Sequence, residues 1–225
     1  ASLLATRGFQ VQGVDVDPEV VATINQGDIH IVEPELDVLV RSAVQSGQLS
    51  AAVEPEAADV FLLAVPTPFT GDRKPDLRFV EAATRSMARV LEPGNLVILE
   101  STSPVGTTER VAEWIAEERP ELAGGAVHIA HCPERVLPGR IIQELVENDR
   151  VVGGLDEAAT EAAAAFYGEF VSGDVLKTTA RTAEMAKLTE NTFRDVNIAL
   201  ANELSLICDR LDIDVWRLIE LANRH

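Results

Sequence analysis

Short apolar runs of strand length alternate with stretches of helical character along this chain, and this alternation restricts the fold more than any other feature. The runs are residues 9–14, 59–65, 95–100 and 127–131, and two closing strands are predicted at 150–152 and 174–176. Strands that are apolar on both faces and separated by helices form parallel sheets with helices on both sides. The sequence therefore predicts an α/β fold with a Rossmann-like, doubly wound parallel sheet.

The helices between these strands are marked by local sequence signals. Helical segments are predicted at residues 1–7, 76–91 and 156–170. The pair Asp17-Pro18 starts a further helix, since proline is tolerated in a first turn. Ser103 is expected to cap another helix, whose first residue would be Pro104.

Polar residues follow four of the predicted strands: Asp15, Thr67, Thr102 and Glu134. Ligands of doubly wound sheets bind beyond the carboxyl ends of the strands, so this pattern predicts nucleotide binding there. An acid that closes the second strand of a dinucleotide-binding unit binds the adenosine ribose, and this is the role expected for Asp15. The matching glycine-rich loop should lie about 20 residues earlier, before residue 1, so the chain is expected to be a fragment.

The C-terminal part of the chain, from residue 175 onward, contains neither glycine nor proline, and nothing in it is expected to break a helix. Apolar residues recur at helical spacing along one side: Met185, Val196, Leu200, Leu204, Ile207 and Leu211. A second, polar stripe contains Glu184, Lys187, Asn191, Arg194, Asp195 and Asn202. The sequence therefore predicts a long helix with two distinct sides.

The polar stripe has two interpretations. It is either the solvated side of an amphipathic helix or part of a functional site. Lys187 and Asn191 are four residues apart, so their side chains project from adjacent turns and could hold a water or a hydroxyl between them. Ile198 lies inside the stripe, and asparagine is a poor helix former, which favours a site.

Composition excludes several classes of partner. The net charge of −18 argues against nucleic acid or an anionic membrane as a partner.

Cys132 and Cys208 fit no metal spacing and no disulfide framework, and both are expected to be buried packing residues. No apolar run approaches the roughly 18 residues that a membrane span requires, and no signal peptide opens the chain. These features predict a cytoplasmic protein.

Five motifs together carry a family resemblance: I-H-I-V-E-P at 29–34, A-V-P-T-P-F at 64–69, E-S-T-S-P-V-G at 100–106, C-P-E-R-V-L-P-G at 132–139 and R-T-A-E-M-A-K-L-T-E-N-T-F-R-D-V-N-I at 181–198. Through them the chain resembles the UDP-glucose/GDP-mannose dehydrogenase family over essentially its whole length. The last two motifs are long and specific.

The resemblance implies an NAD-dependent oxidation of the C6 hydroxyl of a UDP-sugar, in two steps through an aldehyde to a carboxylate, for cell-surface polysaccharide synthesis. It implies that Lys187 and Asn191 hold a water and stabilise the C6 oxyanion, and that Lys187 also acts as acid and base. Glu134 matches the family's glutamate for proton transfer. Thr102 matches the threonine near the nicotinamide and the water.

The resemblance also implies the binding residues. The positions that match substrate contacts are Arg135, Val136, Lys187, Asn191, Arg194 and His225, and those that match NAD contacts are Asp15, Thr67 and Thr102. UDP-glucose relatives tend to carry P-E-F-L followed by an acid, where this chain has Glu134-Arg135-Val136-Leu137-Pro138. This departure favours a 2-acetamido sugar, UDP-N-acetyl-D-mannosamine.

By the same resemblance, residues 1–178 form an NAD-binding domain without its first strand and glycine loop. Residues 179–225 begin the central helical domain, and the C-terminal UDP-sugar-binding domain is absent. The family's nucleophilic cysteine should follow His225, so this chain alone is expected to be inactive. A homodimer through the helix after residue 180 is also expected, because about 30 helical residues extend about 45 Å and usually pack on something outside their own domain.

Other functions remain open. Another nucleotide-sugar 6-dehydrogenase, acting on UDP-glucose or UDP-N-acetylglucosamine, would use the same residues. A β-hydroxyacid or 6-phosphogluconate-type dehydrogenase also places a lysine and an asparagine four apart on a helix, but it oxidises a secondary alcohol in one step. In a non-catalytic scaffold the long helix would serve only as a dimer interface.

Overall fold

A computed structural model describes residues 1–29, 31, 33–137 and 139–224. Within these residues the strands are β1 Val11–Val14, β2 Leu49–Ala52, β3 Val60–Leu63, β4 Leu96–Leu99, β5 His128–His131, β6 Arg150–Gly154 and β7 Val175–Thr179. The helices are α1 Ser2–Thr6, α2 Pro18–Asn25, α3 Leu36–Gln45, α4 Arg78–Ala88, α5 Thr107–Glu118, α6 Ile141–Glu147, α7 Glu157–Gly168, α8 Ala180–Arg210 and α9 Val215–Ala222. The strands and helices predicted from the alternation are confirmed, and β2, α3, α6 and the separate α9 are elements that were not predicted.

The described strands form two sheets, one with the order β1-β2 and one with the order β3-β4-β5-β6-β7. Neighbouring strands are parallel in both sheets, except that β5 and β6 pair antiparallel, with His131 opposite Gly153. The connection between these two strands contains α6, and β6 runs in the opposite direction beside β5. The predicted parallel, doubly wound sheet is therefore confirmed with one reversed strand.

The core lies on both faces of the five-stranded sheet, as a doubly wound fold requires. Val97 and Leu99 of β4 pack with α4 and α5 on one side, while Leu96 and Ile98 pack with α1 and α7 on the other. All four side chains are at most 5% exposed. Because successive strand residues point to opposite faces, an uninterrupted apolar run is what buries such a strand on both sides.

The predicted start of α5 is wrong. Ser103 does not cap the helix, and its buried hydroxyl has no hydrogen-bond partner among the described residues. Residues 104–107 form a turn in which the Thr107 N–H donates to the Pro104 carbonyl at 3.1 Å. The helix begins only at Thr107, after Gly106 at φ +98°, a left-handed conformation that glycine adopts without strain.

The long C-terminal helix is confirmed, but it does not continue to the end of the chain. The 31-residue α8 ends at Arg210, where Asp212 takes a φ of +55° and the Ile213 N–H donates back to the Cys208 carbonyl at 2.9 Å. Asp214 then caps α9 by accepting from the Trp216 N–H. The absence of glycine and proline was therefore not sufficient to predict an unbroken helix, because aspartate also adopts the left-handed conformation and caps helices.

The chain divides into two compact units, Ala1–Met185 and Ala186–His225. The first contains both sheets and the opening turns of α8, and the second contains the rest of α8 and α9. In the described residues, no helix combines the length and the apolar character needed to cross a bilayer.

Candidate functional site

Hydrogen bonds join the carboxyl ends of β3 and β4. The Thr67 hydroxyl donates to the Thr102 carbonyl at 2.6 Å, and the Ser101 hydroxyl donates to the Val65 carbonyl at 2.7 Å. Two of the predicted NAD contacts, Thr67 and Thr102, are thus in direct contact although 35 residues separate them.

Glu134 lies at the same edge of the sheet, just beyond β5. Its backbone N–H is 3.4 Å from the Glu100 carbonyl oxygen at the end of β4, and its carboxylate accepts from the Val136 N–H. The structure therefore brings Glu134 to the strand end beside the one that carries Thr102. The side chain is partly buried and is held by its own loop.

Asp15 lies at the carboxyl end of β1, in the two-stranded sheet. Its N–H donates to the Ala52 carbonyl, its side chain accepts from the Asp17 N–H at 2.9 Å, and it is exposed. A cavity of about 260 Å³ opens beside it, lined mainly by apolar residues such as Val20, Ile24 and Val40. An exposed carboxylate at the rim of an apolar cavity is an arrangement that can bind a nucleoside.

Arg135 and Val136 belong to the loop between β5 and α6. The Arg135 guanidinium donates to the Asp149 carbonyl at 3.1 Å, and the Arg135 carbonyl accepts from the Asn148 side chain at 3.3 Å. Both residues are partly exposed, so a ligand beyond the end of β5 could reach them.

Behind the strand ends lies a buried polar cluster that was not predicted. The Tyr167 hydroxyl of α7 donates to the Glu100 carboxyl at 2.6 Å, and the guanidinium of the buried Arg150 lies 5.6 Å from the Tyr167 ring centre. Burial raises the pKa of Glu100, and the Glu134 carboxylate adds to the rise, while the Tyr167 hydrogen bond and the Arg150 charge oppose it. Burial also raises the pKa of the Cys132 thiol to about 12.

We expect the Glu100→Gln variant to gain thermal stability relative to the wild type as the pH rises above about 4.5, the ordinary pKa of glutamate. The folded-state pKa is raised, so the unfolded chain loses the proton first and ionisation of Glu100 costs the wild type stability through this window. Glutamine does not titrate and can still accept from Tyr167. The measurement is the difference in Tm between the two proteins from pH 4 upward.

The Tyr167→Phe variant provides a second arm of this measurement. It removes a hydrogen bond that favours the ionised Glu100, so the folded-state pKa rises further, and the loss of stability should become larger and extend to higher pH. A Tm difference between wild type and Glu100→Gln that did not change with pH would contradict the prediction. It would mean that Glu100 ionises as easily in the folded protein as in the unfolded chain.

A second buried carboxylate, also not predicted to have a role, anchors the start of α8. Glu184 is 1% exposed, and its two oxygens accept from the Gly106 N–H at 2.6 Å, the Thr108 N–H at 2.8 Å and the Thr108 hydroxyl at 2.7 Å. It thus supplies the cap at the N-terminus of α5 that Ser103 was expected to supply. Arg181, one turn earlier, pairs with Glu109 of α5 at 2.7 Å.

The remaining predicted residues lie on α8 in the second unit. Lys187 and Asn191 are both partly buried and occur one helical turn apart, whereas Arg194 is exposed. The Arg194 guanidinium donates to the Asn191 side-chain oxygen at 3.3 Å, which leaves the Asn191 amide as a donor. His225 lies outside the described residues.

Both cysteines are confirmed as buried residues. Cys132 is inaccessible and Cys208 is 2% exposed. The raised pKa of Cys132 disfavours its thiolate at neutral pH. Glu134 could be singled out because it belongs to the C-P-E-R motif. Glu184 belongs to the R-T-A-E motif, but no neighbouring residue indicated that it would cap a helix 76 residues away.

Comparison with known proteins covers both parts of the chain. The NAD binding domain of the UDP-glucose/GDP-mannose dehydrogenase family matches residues 1–171, and the central domain of that family matches residues 181–225. Similar proteins include an NDP-N-acetyl-D-galactosaminuronic acid dehydrogenase from Ralstonia nicotianae, 56% identical over all of this chain and 55% of its own length. A UDP-N-acetyl-D-mannosamine dehydrogenase from Campylobacter jejuni is 57% identical over all of this chain and 57% of its own length.

Among solved structures, a UDP-D-ManNAc dehydrogenase from Pyrococcus horikoshii matches with a TM-score of 0.96 and 45% identity, over all of this chain and 54% of that one. The chain spans about half the length of the curated relatives it matches. With family matches that together cover 1–171 and 181–225, this chain belongs to the UDP-glucose/GDP-mannose dehydrogenase family.

Proposed function

We propose that the protein containing this chain oxidises the C6 hydroxyl of UDP-N-acetyl-D-mannosamine to the uronate in two NAD-dependent steps, in the cytoplasm, for cell-surface polysaccharide synthesis. The observation that carries this proposal is the hydrogen bond between Thr67 and Thr102, which joins two strand ends beside Glu134. The choice of a 2-acetamido sugar is supported by the names of the relatives from Ralstonia nicotianae and Campylobacter jejuni and by Arg135-Val136 after Glu134.

The residues present fit NAD. Asp15 would bind the adenosine ribose with its exposed carboxylate, and the neighbouring apolar cavity would receive the adenine ring. A carboxylate at this position also disfavours a 2′-phosphate, which selects NAD over its phosphorylated form. When bound, NAD accepts a hydride from C6. Thr67 and Thr102 would line the other end of the cofactor, where the strand ends meet.

The catalytic residues divide the work between proton transfer and charge stabilisation. Lys187 takes the proton of the C6 hydroxyl as the C–H bond breaks, and together with Asn191 it stabilises the oxyanion that develops. Glu134 transfers a proton to or from the water of the second oxidation, and Thr102 orients that water. Cys132 is buried and its raised pKa leaves it protonated, so it contributes no nucleophile to the second step.

Cationic residues would bind the nucleotide sugar. Arg135 and Arg194, together with His225 and the backbone at Val136, are the proposed contacts. A chain with a net charge of −18 repels a diphosphate at long range, so local guanidinium groups that bind phosphate in a bidentate manner are required.

We further propose that residues 1–178 belong to the NAD-binding domain, that residues 179–225 begin the central helical domain, and that the UDP-sugar-binding domain lies elsewhere in the protein. The family boundaries near 171 and 181 support this division. The first strand of this domain, which the resemblance implies, would lie in space between β1 and β3 and join the two sheets. Val11 of β1 and Val60 of β3 pack on the same core as Leu4 of α1, which supports this position.

The same protein is proposed to form a homodimer through α8. Apolar side chains of this helix that are 39–72% exposed support the proposal: Met185, Phe193, Val196, Leu200, Leu204 and Ile207. An exposed apolar stripe of this length is typical of a surface that another chain covers.

Reaction stoichiometry tests the proposed function. We expect the full-length protein to release two NADH for each UDP-N-acetyl-D-mannosamine consumed, and to use UDP-glucose and UDP-N-acetylglucosamine less efficiently. One NADH for each molecule of a hydroxyacid would identify the β-hydroxyacid or 6-phosphogluconate type instead. Dimerisation without any NAD reduction would identify a scaffold.

A further inference from the structure

The C-P-E-R-V-L-P-G segment (residues 132–139) has no helix or strand in its described residues, and hydrogen bonds to residues outside the segment help to determine its shape. The Leu137 N–H donates to the Glu144 carboxylate at 2.8 Å, and the Arg135 side chain donates to the Asp149 carbonyl. These bonds connect the segment to α6 and to the chain that follows it. The segment contains Glu134, Arg135 and Val136, to which the proposed function assigns proton transfer and substrate contacts.

One side chain reaches this segment from a distant part of the chain. Glu33, in the loop between α2 and α3, is 7% exposed, and its two carboxylate oxygens accept from the Gly139 N–H at 2.9 Å and the Ile141 N–H at 2.8 Å. Those partners are 106 and 108 residues away in sequence. Glu33 therefore holds the point at which the segment ends and α6 begins.

The geometry requires a glutamate. Both oxygens are occupied, each by a backbone N–H, so glutamine would direct its amide group at a donor and leave one N–H without an acceptor. Aspartate keeps both oxygens but is shorter by one methylene group. Gly139 adopts a φ of +89°, a conformation that most residues adopt only with strain, so the backbone at the anchored end makes a turn that the two hydrogen bonds stabilise.

We infer that Glu33 is a positioning residue for the nucleotide sugar, because it fixes the far end of the segment that carries Glu134, Arg135 and Val136. This inference rests on the proposed function. A segment anchored at both ends presents its side chains to the substrate in one arrangement, and one that is free at residue 139 must be ordered at each binding event. The hydrogen bonds of the proposed NAD contacts Asp15, Thr67 and Thr102 go to described residues outside this segment, so the effect should fall on the sugar rather than on NAD.

The test is the Glu33→Gln variant of the full-length protein, assayed with UDP-N-acetyl-D-mannosamine and NAD. We expect kcat/KM for the sugar nucleotide to fall by about 10- to 100-fold, mainly through KM, with KM for NAD changed by less than about 2-fold. Glu33→Asp, which keeps the charge and both acceptors, should restore part of the loss. Glu35→Gln makes the same substitution at an exposed position two residues away and should behave as wild type.

A readout that does not depend on turnover accompanies the kinetics. Amide hydrogen exchange at residues 132–145 should become faster in Glu33→Gln and remain unchanged in Glu35→Gln. Unchanged exchange and an unchanged KM for the sugar would overturn the inference, and so would equal increases in KM for the sugar and for NAD. A wild type that does not oxidise the UDP-sugar would instead refute the proposed function, while the exchange data would still show whether Glu33 anchors the segment.

Discussion

Replacing Lys187 with alanine in the full-length protein should lower kcat for oxidation of the UDP-sugar by about 10²- to 10⁴-fold, the usual contribution of general acid-base catalysis. Lys187 is partly buried and lies one turn from Asn191 on α8. Alanine removes both the proton acceptor and one donor to the C6 oxyanion, and it preserves the helix because alanine is the best helix former. Steady-state rates of NADH formation at saturating substrate measure the effect.

Lys177→Ala is the matched control. Lys177 of β7 is exposed and pairs with Glu161 at 2.6 Å, so its loss should leave kcat within about 2-fold, as expected for a surface ion pair. Sedimentation should show the same oligomeric state for both variants and the wild type. An undiminished kcat in Lys187→Ala would remove this lysine from the mechanism, and a dissociated, inactive variant would assign it to the interface.

Replacing Glu184 with glutamine should have the largest effect on stability, a loss of about 3 kcal/mol. The carboxylate is buried and accepts from two backbone N–H groups and a hydroxyl at the N-terminus of α5. Glutamine offers one acceptor oxygen and turns an amide toward a donor, and it removes the negative charge that the helix N-terminus favours. At about 2–4 °C for each kcal/mol in a domain of this size, Tm should fall by about 6–12 °C.

Glu109→Gln is the corresponding control on the same pair of helices. Glu109 forms an exposed ion pair with Arg181 at 2.7 Å, and pairs of this kind contribute less than about 1 kcal/mol. Calorimetry of the wild type and both variants at one pH gives the comparison. Equal, small decreases in Tm for Glu184→Gln and Glu109→Gln would contradict the prediction. They would show that the three hydrogen bonds of Glu184 contribute no more to the free energy of unfolding than an exposed ion pair does.

Glu184 also connects the fold to the proposed chemistry. It lies three residues before Lys187 on the same helix, and its bonds to α5 hold the part of α8 that belongs to the first unit. A small loss of kcat in Glu184→Gln at a temperature where the variant is still folded would agree with this connection.

Much of the site could be predicted from the sequence because the relevant signals are local. The apolar run from Leu96 to Leu99 predicts a strand buried on both sides, and a polar residue shortly after such a strand lies at the carboxyl end of the sheet, where the candidate site was predicted. Thr67, Thr102 and Glu134 follow this rule. The helical spacing of Lys187 and Asn191 is local in the same sense, since one turn of α8 relates them.

The features that could not be predicted depend on partners far apart in the chain. The reversed direction of β6 appears only in its pairing with β5. The cap of α5 is contributed by Glu184 across 76 and 78 residues, and the anchor at Gly139 is contributed by Glu33 across 106 residues. Strand and helix periodicity arise from neighbouring residues and can be read in order along the chain. The positions of buried carboxylates such as Glu33 and Glu184 follow from a different rule, because every buried backbone N–H needs an acceptor. Which N–H groups are buried is decided only when the helices and strands pack together, so the tertiary structure determines these contacts.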